Sequence, residues 1–93
     1  MARVLRLFHR TTPEAAELIR ATRRMVSREH DGAVYFSTRR DGQATGYGAD
    51  VVELRVPESL AQLDDEFPDG ELHYRVLAKD LRPDYFVVVD TTD

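Results

Sequence analysis

One stretch of this chain carries helical periodicity, Ala15, Leu18, Ile19, Thr22 and Met25, while nearly every other apolar run is short and β-prone. A chain patterned in this way has one main helix to lay against a sheet. The pattern predicts an α+β domain, mainly antiparallel or mixed sheet, with its helix near the N-terminus.

The elements follow in order. Residues 3–9 alternate, with Val4, Arg6 and Phe8 on one side and Leu5, Leu7 and His9 on the other, which predicts a strand. Thr11, Thr12 and Pro13 then open the helix: a Thr cap, Pro at the first helical position, and Glu14 three residues after Thr11 at the spacing of a capping box. Arg20, Arg23, Arg24 and Arg28 load its far end with positive charge, which suits the helix dipole. Asp31-Gly32 reads as a turn, and residues 33–37 as a second strand. Residues 39–48 are polar and glycine-spaced, compatible with a short helical turn or a flexible loop. Strands are expected at 51–56, ended by Pro57, at 72–77 and at 85–89, with the acidic stretch 59–70 as a surface connection.

At 93 residues with 42% hydrophobic positions, the chain has enough material for one core, so residues 1–93 are read as a single domain. The absence of cysteine excludes a disulfide framework, a thiolate metal site and a cysteine nucleophile, and fits a reducing compartment. No apolar run approaches the roughly 18 residues of a membrane span, so a soluble, cytoplasmic protein is expected. The formal charge of -4 is unevenly spread: residues 1–40 carry nine Arg against four acids, and residues 41–93 four bases against thirteen acids. Such a division fits either an anion-facing surface on the first half or pairing between the halves.

Several chemistries are excluded by their missing motifs. There is no phosphate-binding P-loop, no Gly-x-Gly-x-x-Gly after a strand, and no Gly-x-Ser-x-Gly around Ser37. His9, His30 and His73 lack metal-ligand spacing, so no metal is expected. What remains is a distributed set: His9 at the end of the first strand, Tyr35 in the second, Tyr47 between Gly46 and Gly48, and Glu71 entering a late strand. His9, Tyr35 and Glu71 have ordinary structural readings, as a hydrogen-bonded strand end, a rim tyrosine and a strand entry, whereas Tyr47 is less easily explained by packing, and its flanking glycines allow close approach of a flat ligand.

Taken together, residues 7–12 (Leu-Phe-His-Arg-Thr-Thr), 32–37 (Gly-Ala-Val-Tyr-Phe-Ser), Tyr47 and 70–76 (Gly-Glu-Leu-His-Tyr-Arg-Val) resemble the His-Tyr-Glu branch of the ADP-ribosyltransferase superfamily. Leu63-Asp64-Asp65-Glu66-Phe67-Pro68 is in addition similar to a segment of the small rifampicin-modifying members. The resemblance implies NAD as substrate and release of nicotinamide by ADP-ribosyl transfer or hydrolysis. It assigns catalysis to Glu71, His9 and Tyr35, and donor binding to His9, Arg10, Thr11, Tyr35, Ser37 and Tyr47, with the two tyrosines holding the nicotinamide ring. On the rifampicin-modifying pattern the assisting acid is Asp64 or Asp65 instead of Glu71. Arg10 stands where the family has Gly, so its backbone is left to meet the carboxamide and its side chain must point away.

Two other classes fit the same residues. One is an interaction module that keeps the fold and uses the tyrosines as contacts. The other is a small RNA- or nucleotide-binding domain using the Arg-rich first half with Tyr35, Phe36 and Tyr47 as stacking surfaces. The acceptor, whether protein, nucleic acid or small molecule, is not encoded in these motifs, nor is the oligomeric state.

Overall fold

The computed structural model of the chain describes residues 3–27 and 31–87. Strand β1 (Val4–Thr11) is followed by α1 (Pro13–Thr22), β2 (Ala33–Ser37), β3 (Asp50–Pro57), β4 (Gln62–Glu66) and β5 (Leu72–Leu77), with short 3-10 turns at Gln43–Tyr47, Glu58–Leu60, Ala78–Asp80 and Pro83–Tyr85. The strands form one sheet in the order β3-β1-β2-β5-β4, every neighbouring pair antiparallel. The expected α+β class is what the chain adopts.

The alternation that predicts the strands also sets the two faces. Leu5 and Leu7 of β1, Val34 and Phe36 of β2, Val52, Leu54 and Val56 of β3 and Val76 of β5 face one way and form the core, closed by Ala16 of α1 and by Phe86. On the opposite face Phe8, Ala33, Ser37 and Val51 are buried near one end. The rest of that face is a charged lattice. Arg6 pairs with Glu53 at 2.7 Å, and Arg75 with Asp31 at 2.8 Å.

The helix starts one residue later than the capping-box spacing implies. Thr12 is the cap, its hydroxyl accepting from Ala15 N at 3.2 Å, and Thr11 belongs to β1. Pro13 occupies the first helical position as expected. The helix ends at Thr22, where Arg23 adopts the left-handed conformation (φ 53°) and donates its N–H to the Ile19 carbonyl at 2.6 Å. Its core contact is Ala16 with Ile19, whereas Leu18 is exposed. Met25 packs on the core from beyond the helix.

One further expectation changes, and another is only partly within the described residues. The acidic stretch 59–70 contains a strand: β4 pairs with β5 through its backbone, with a register shift between Leu63 and Asp65. All five of its residues are exposed, and its acids and bulge discourage pairing with another chain at this edge of the sheet. At 85–89, Tyr85 lies in a 3-10 turn, Phe86 forms one bridge with Leu54, and Val87 N–H reaches the Glu53 carbonyl at 2.9 Å. Residues 88 and 89 lie outside the described residues.

Strand β1 pairs with β3 from Val4↔Pro57 to Thr11↔Asp50, and β2 with β5 from Ala33↔Leu77 to Ser37↔His73. Between β1 and β2 the register is the pair Phe8↔Ser37. Beyond it, side chains take up the carbonyls of β2. His9 Nδ1 bonds to the Tyr35 carbonyl at 2.9 Å and Ser27 Oγ to the Ala33 carbonyl at 2.6 Å. Glu58 N–H bonds to the Arg3 carbonyl in continuation of the β1–β3 ladder. By the alternation of an antiparallel ladder, the backbone groups of Arg6, Phe8 and Arg10 therefore face β2.

Candidate functional site

Glu71 is the focus of the buried polar chemistry. It precedes β5, and its side chain is 0% exposed. Ser37 Oγ donates to its Oε2 at 2.6 Å and His73 Nε2 lies 2.7 Å from the same oxygen. The Gln43 N–H reaches Oε1 at 3.0 Å and Oε2 at 3.1 Å. Ser37 and His73 are there because the register pairs them directly across β2 and β5, and Glu71, two residues before His73, shares their face. Burial pushes the Glu71 carboxyl up, but the bonds from Ser37, Gln43 N–H and His73 outweigh it and hold the group below its ordinary value, as a carboxylate.

The loop 38–49 closes over this carboxylate. A Cβ at Gly42 would run into the Glu71 carboxyl group, and one at Gly48 into the backbone of Thr11, so both glycines are required by close approach. Arg10 clamps the loop from β1. Its Nε and Nη2 donate to the Arg40 carbonyl at 3.0 and 2.8 Å, Nη1 to the Gly48 carbonyl at 3.4 Å, and it pairs with Asp41. The Arg10 side chain is thus directed to the loop. Thr11 ends β1 beneath Gly48.

His9 projects to the core face with Leu5 and Leu7, its ring edge-on to Phe36 at 5.7 Å. Burial lowers its pKa, only partly offset by the bond to the Tyr35 carbonyl, so the ring is neutral at pH 7. Neutral and donating from Nδ1, it presents Nε2 as an acceptor. Tyr35 lies on the opposite face, where its hydroxyl donates to Asp31 Oδ2 at 3.0 Å and Arg75 Nη1 reaches the same oxygen at 2.8 Å. The bond to Asp31 raises the Tyr35 pKa. Tyr47 is 79% exposed on the 3-10 turn. Among the described residues, the ring pairs are His9–Phe36 and Phe67–His73.

Of the residues singled out in the sequence, the fold brings Ser37 to Glu71 and the backbone of Tyr35 to His9. It leaves Tyr47 outward and places His9 and Glu71 on opposite faces, either side of the β1–β2 seam. Asp64 and Asp65 are exposed on β4, Asp65 opposite His73. His73, Gly42 and the Gln43 backbone were not anticipated. For His73 the signal was present, since two positions along a strand from Glu71 is the same face. For Gln43 there was none, because a backbone donor has no sequence signature. Two surface depressions lie elsewhere, one along residues 59–62 with Arg75, Leu77 and Asp80, another over Val4, Arg6 and Arg55. Among the described residues no group of three His, Asp or Glu could hold a metal ion, and no helix is long and apolar enough to cross a membrane.

Compared with protein-family models, with curated proteins and with solved structures, the chain finds no match.

Proposed function

We propose that this domain cleaves the nicotinamide–ribose bond of NAD and transfers ADP-ribose to an acceptor or to water. The observation that carries the reading is the adjacency of β1, β2 and β5, the strands that bear or adjoin His9, Tyr35 and Glu71, together with a Glu71 held ionised. In this reaction the glycosidic C–N bond breaks with its electron pair going to the nicotinamide ring nitrogen. The acceptor forms the new bond to the ribose carbon and loses a proton. Positive charge on the ribose is greatest in the transition state, much as in glycoside hydrolysis.

Glu71 supplies the matching negative charge and accepts from the ribose 2'-hydroxyl. Arg10 offers backbone N–H and C=O on the side of β1 facing β2, suited to a carboxamide, while its side chain stays with the loop. His9 Nε2 accepts from a sugar hydroxyl. Thr11 and Ser37 are supporting donors, and Tyr35 and Tyr47 hold the ring. For a ligand to reach Glu71 the Gln43 N–H must leave it, and for the same ligand to reach His9 on the other face the sparsely paired β1–β2 seam must part, so this reading includes movement of the loop that carries Tyr47 and opening of that seam. A reducing, cytoplasmic setting belongs to it, supported by a chain without cysteine.

The test is incubation of the protein with NAD, following binding by ligand-observed NMR and free nicotinamide in the same tube. Release by the wild type and its loss in Glu71→Gln, with binding retained, is the expected result. Normal turnover in Glu71→Gln would move the role to Asp64 or Asp65. The complete burial of Glu71 favours a second reading, a non-catalytic interaction module in which Glu71 only pins the loop. No interaction at millimolar NAD, with a discrete partner complex, would select it.

A further inference from the structure

The two oxygens of Glu71 are not equivalent. Oε2 receives Ser37 Oγ at 2.6 Å, His73 Nε2 at 2.7 Å and a share of the Gln43 N–H at 3.1 Å, whereas Oε1 receives the Gln43 N–H alone, at 3.0 Å. Ser37 and His73 belong to β2 and β5, paired in the sheet and fixed by its ladder. Gln43 belongs to a loop. When the loop withdraws, Oε2 keeps both of its sheet-borne donors and Oε1 is bared.

We infer that His73 is a positioning residue for Glu71, clamping Oε2 together with Ser37 so that Oε1 alone is presented to the reacting sugar. This rests on the transferase reading for its catalytic consequence, but the clamp itself is a property of the fold. The His73 ring is steadied by the edge of Phe67, at 4.6 Å between centroids. With the ring edge-on to Phe67, Nε2 is directed at Oε2, the oxygen that Ser37 also holds. Ser37 is itself held, accepting from the Arg39 N–H at 3.0 Å.

The charged and titratable groups around the pair come from every side. Asp65 lies opposite His73 on β4, Asp69 accepts the Glu71 N–H at 3.1 Å, and the Arg39 guanidinium is drawn off to Asp69 at 2.9 Å. None of these takes the His73–Glu71 contact. A donor at position 73 keeps one oxygen occupied and the carboxylate unable to rotate, which is what a preorganised electrostatic group requires.

The experiment compares wild type, His73→Ala, His73→Gln and Ser37→Ala. The Glu71 carboxyl is titrated by carbon-13 NMR, and nicotinamide release from NAD is measured in parallel. In His73→Ala the Glu71 midpoint should move up, and kcat should fall on the order of tenfold to a hundredfold with KM for NAD nearly unchanged. Gln retains a neutral N–H donor and should restore most of kcat, and Ser37→Ala should act in the same direction as His73→Ala. An unchanged Glu71 midpoint in His73→Ala overturns the clamp, as does a folded His73→Gln that behaves like His73→Ala. A wild type that releases no nicotinamide overturns the transferase reading instead, and the titration then judges the clamp by itself.

Discussion

The N–H of Gln43 lies within hydrogen-bond distance of both carboxylate oxygens of Glu71, at 3.0 and 3.1 Å, across 28 residues of sequence. A backbone donor from a loop thus closes over the most deeply buried acid in the fold. The contact exists because residue 42 has no side chain, and it ties the loop to the strand start that carries Glu71.

Gly42→Ala should therefore open this contact. Its Cβ has no space beside the Glu71 carboxyl, so the loop must shift. A loss of about 1–3 kcal/mol is expected, with a lower Tm and faster hydrogen exchange at the Gln43 amide. In a Glu71→Ala background the same substitution should cost clearly less, a coupling that a double-mutant cycle reads directly.

The Arg10 clamp can be loosened separately. Arg10→Ala removes donors to the Arg40 and Gly48 carbonyls and the pair with Asp41, and should cost about 2 kcal/mol. Trypsin should then cut after Arg39 or Arg40 much faster than in the wild type. Arg10→Lys should rescue little, since an ammonium cannot reproduce the fork that spans two carbonyls.

Acid should destabilise the protein in two stages. His9 has a folded pKa below its ordinary 6.5, so as pH falls the unfolded chain binds this proton first. Its contribution is complete above pH 6.5 and is lost between there and the folded value. Glu71, lowered from 4.5, contributes above that pH and loses its part as pH falls further through its own folded value. Urea unfolding across pH should show both segments in the wild type, the first missing in His9→Gln and the second reduced in Glu71→Gln.

The end of α1 offers a stabilising change. Arg23 sits at φ 53°, a conformation that favours glycine. Arg23→Gly should raise stability by roughly 0.5–1 kcal/mol, measured as an upward shift in Tm.

Much of this architecture is legible in the residues, and the exceptions are instructive. Strands β1, β2, β3 and β5 carry apolar alternation because one face of each is buried, and Pro13 after a threonine announces α1. Strand β4 carries no such signal. Asp64, Asp65 and Glu66 are poor strand formers, and they pair only because β5 offers an open backbone edge. Of the C-terminal apolar run, which reads as a strand, the described part closes the core with Phe86 and bridges to Leu54. Within the site, Ser37, Glu71 and His73 meet through strand register, which sequence fixes only once the pairing of β2 with β5 is known. Tyr47 shows the reverse. Of its two flanking glycines, which suggest room for a ligand, Gly46 is open and Gly48 is required by the backbone of Thr11.

The junction at Phe8↔Ser37 has a consequence for how this molecule comes apart. Two well-laddered pieces, β3 with β1 and β5 with β2 and β4, are joined in the backbone by that pair, and beyond it by side-chain bonds from His9 and Ser27, the Arg10 clamp on the loop and the shared core. A partial opening along this line breaks little regular pairing, so it should have a lower free energy than global unfolding. The amides of Arg10 and Tyr35 would then exchange through such an opening while those of Leu54 and Val76 wait for the whole domain to unfold, dividing the sheet into two cooperative units.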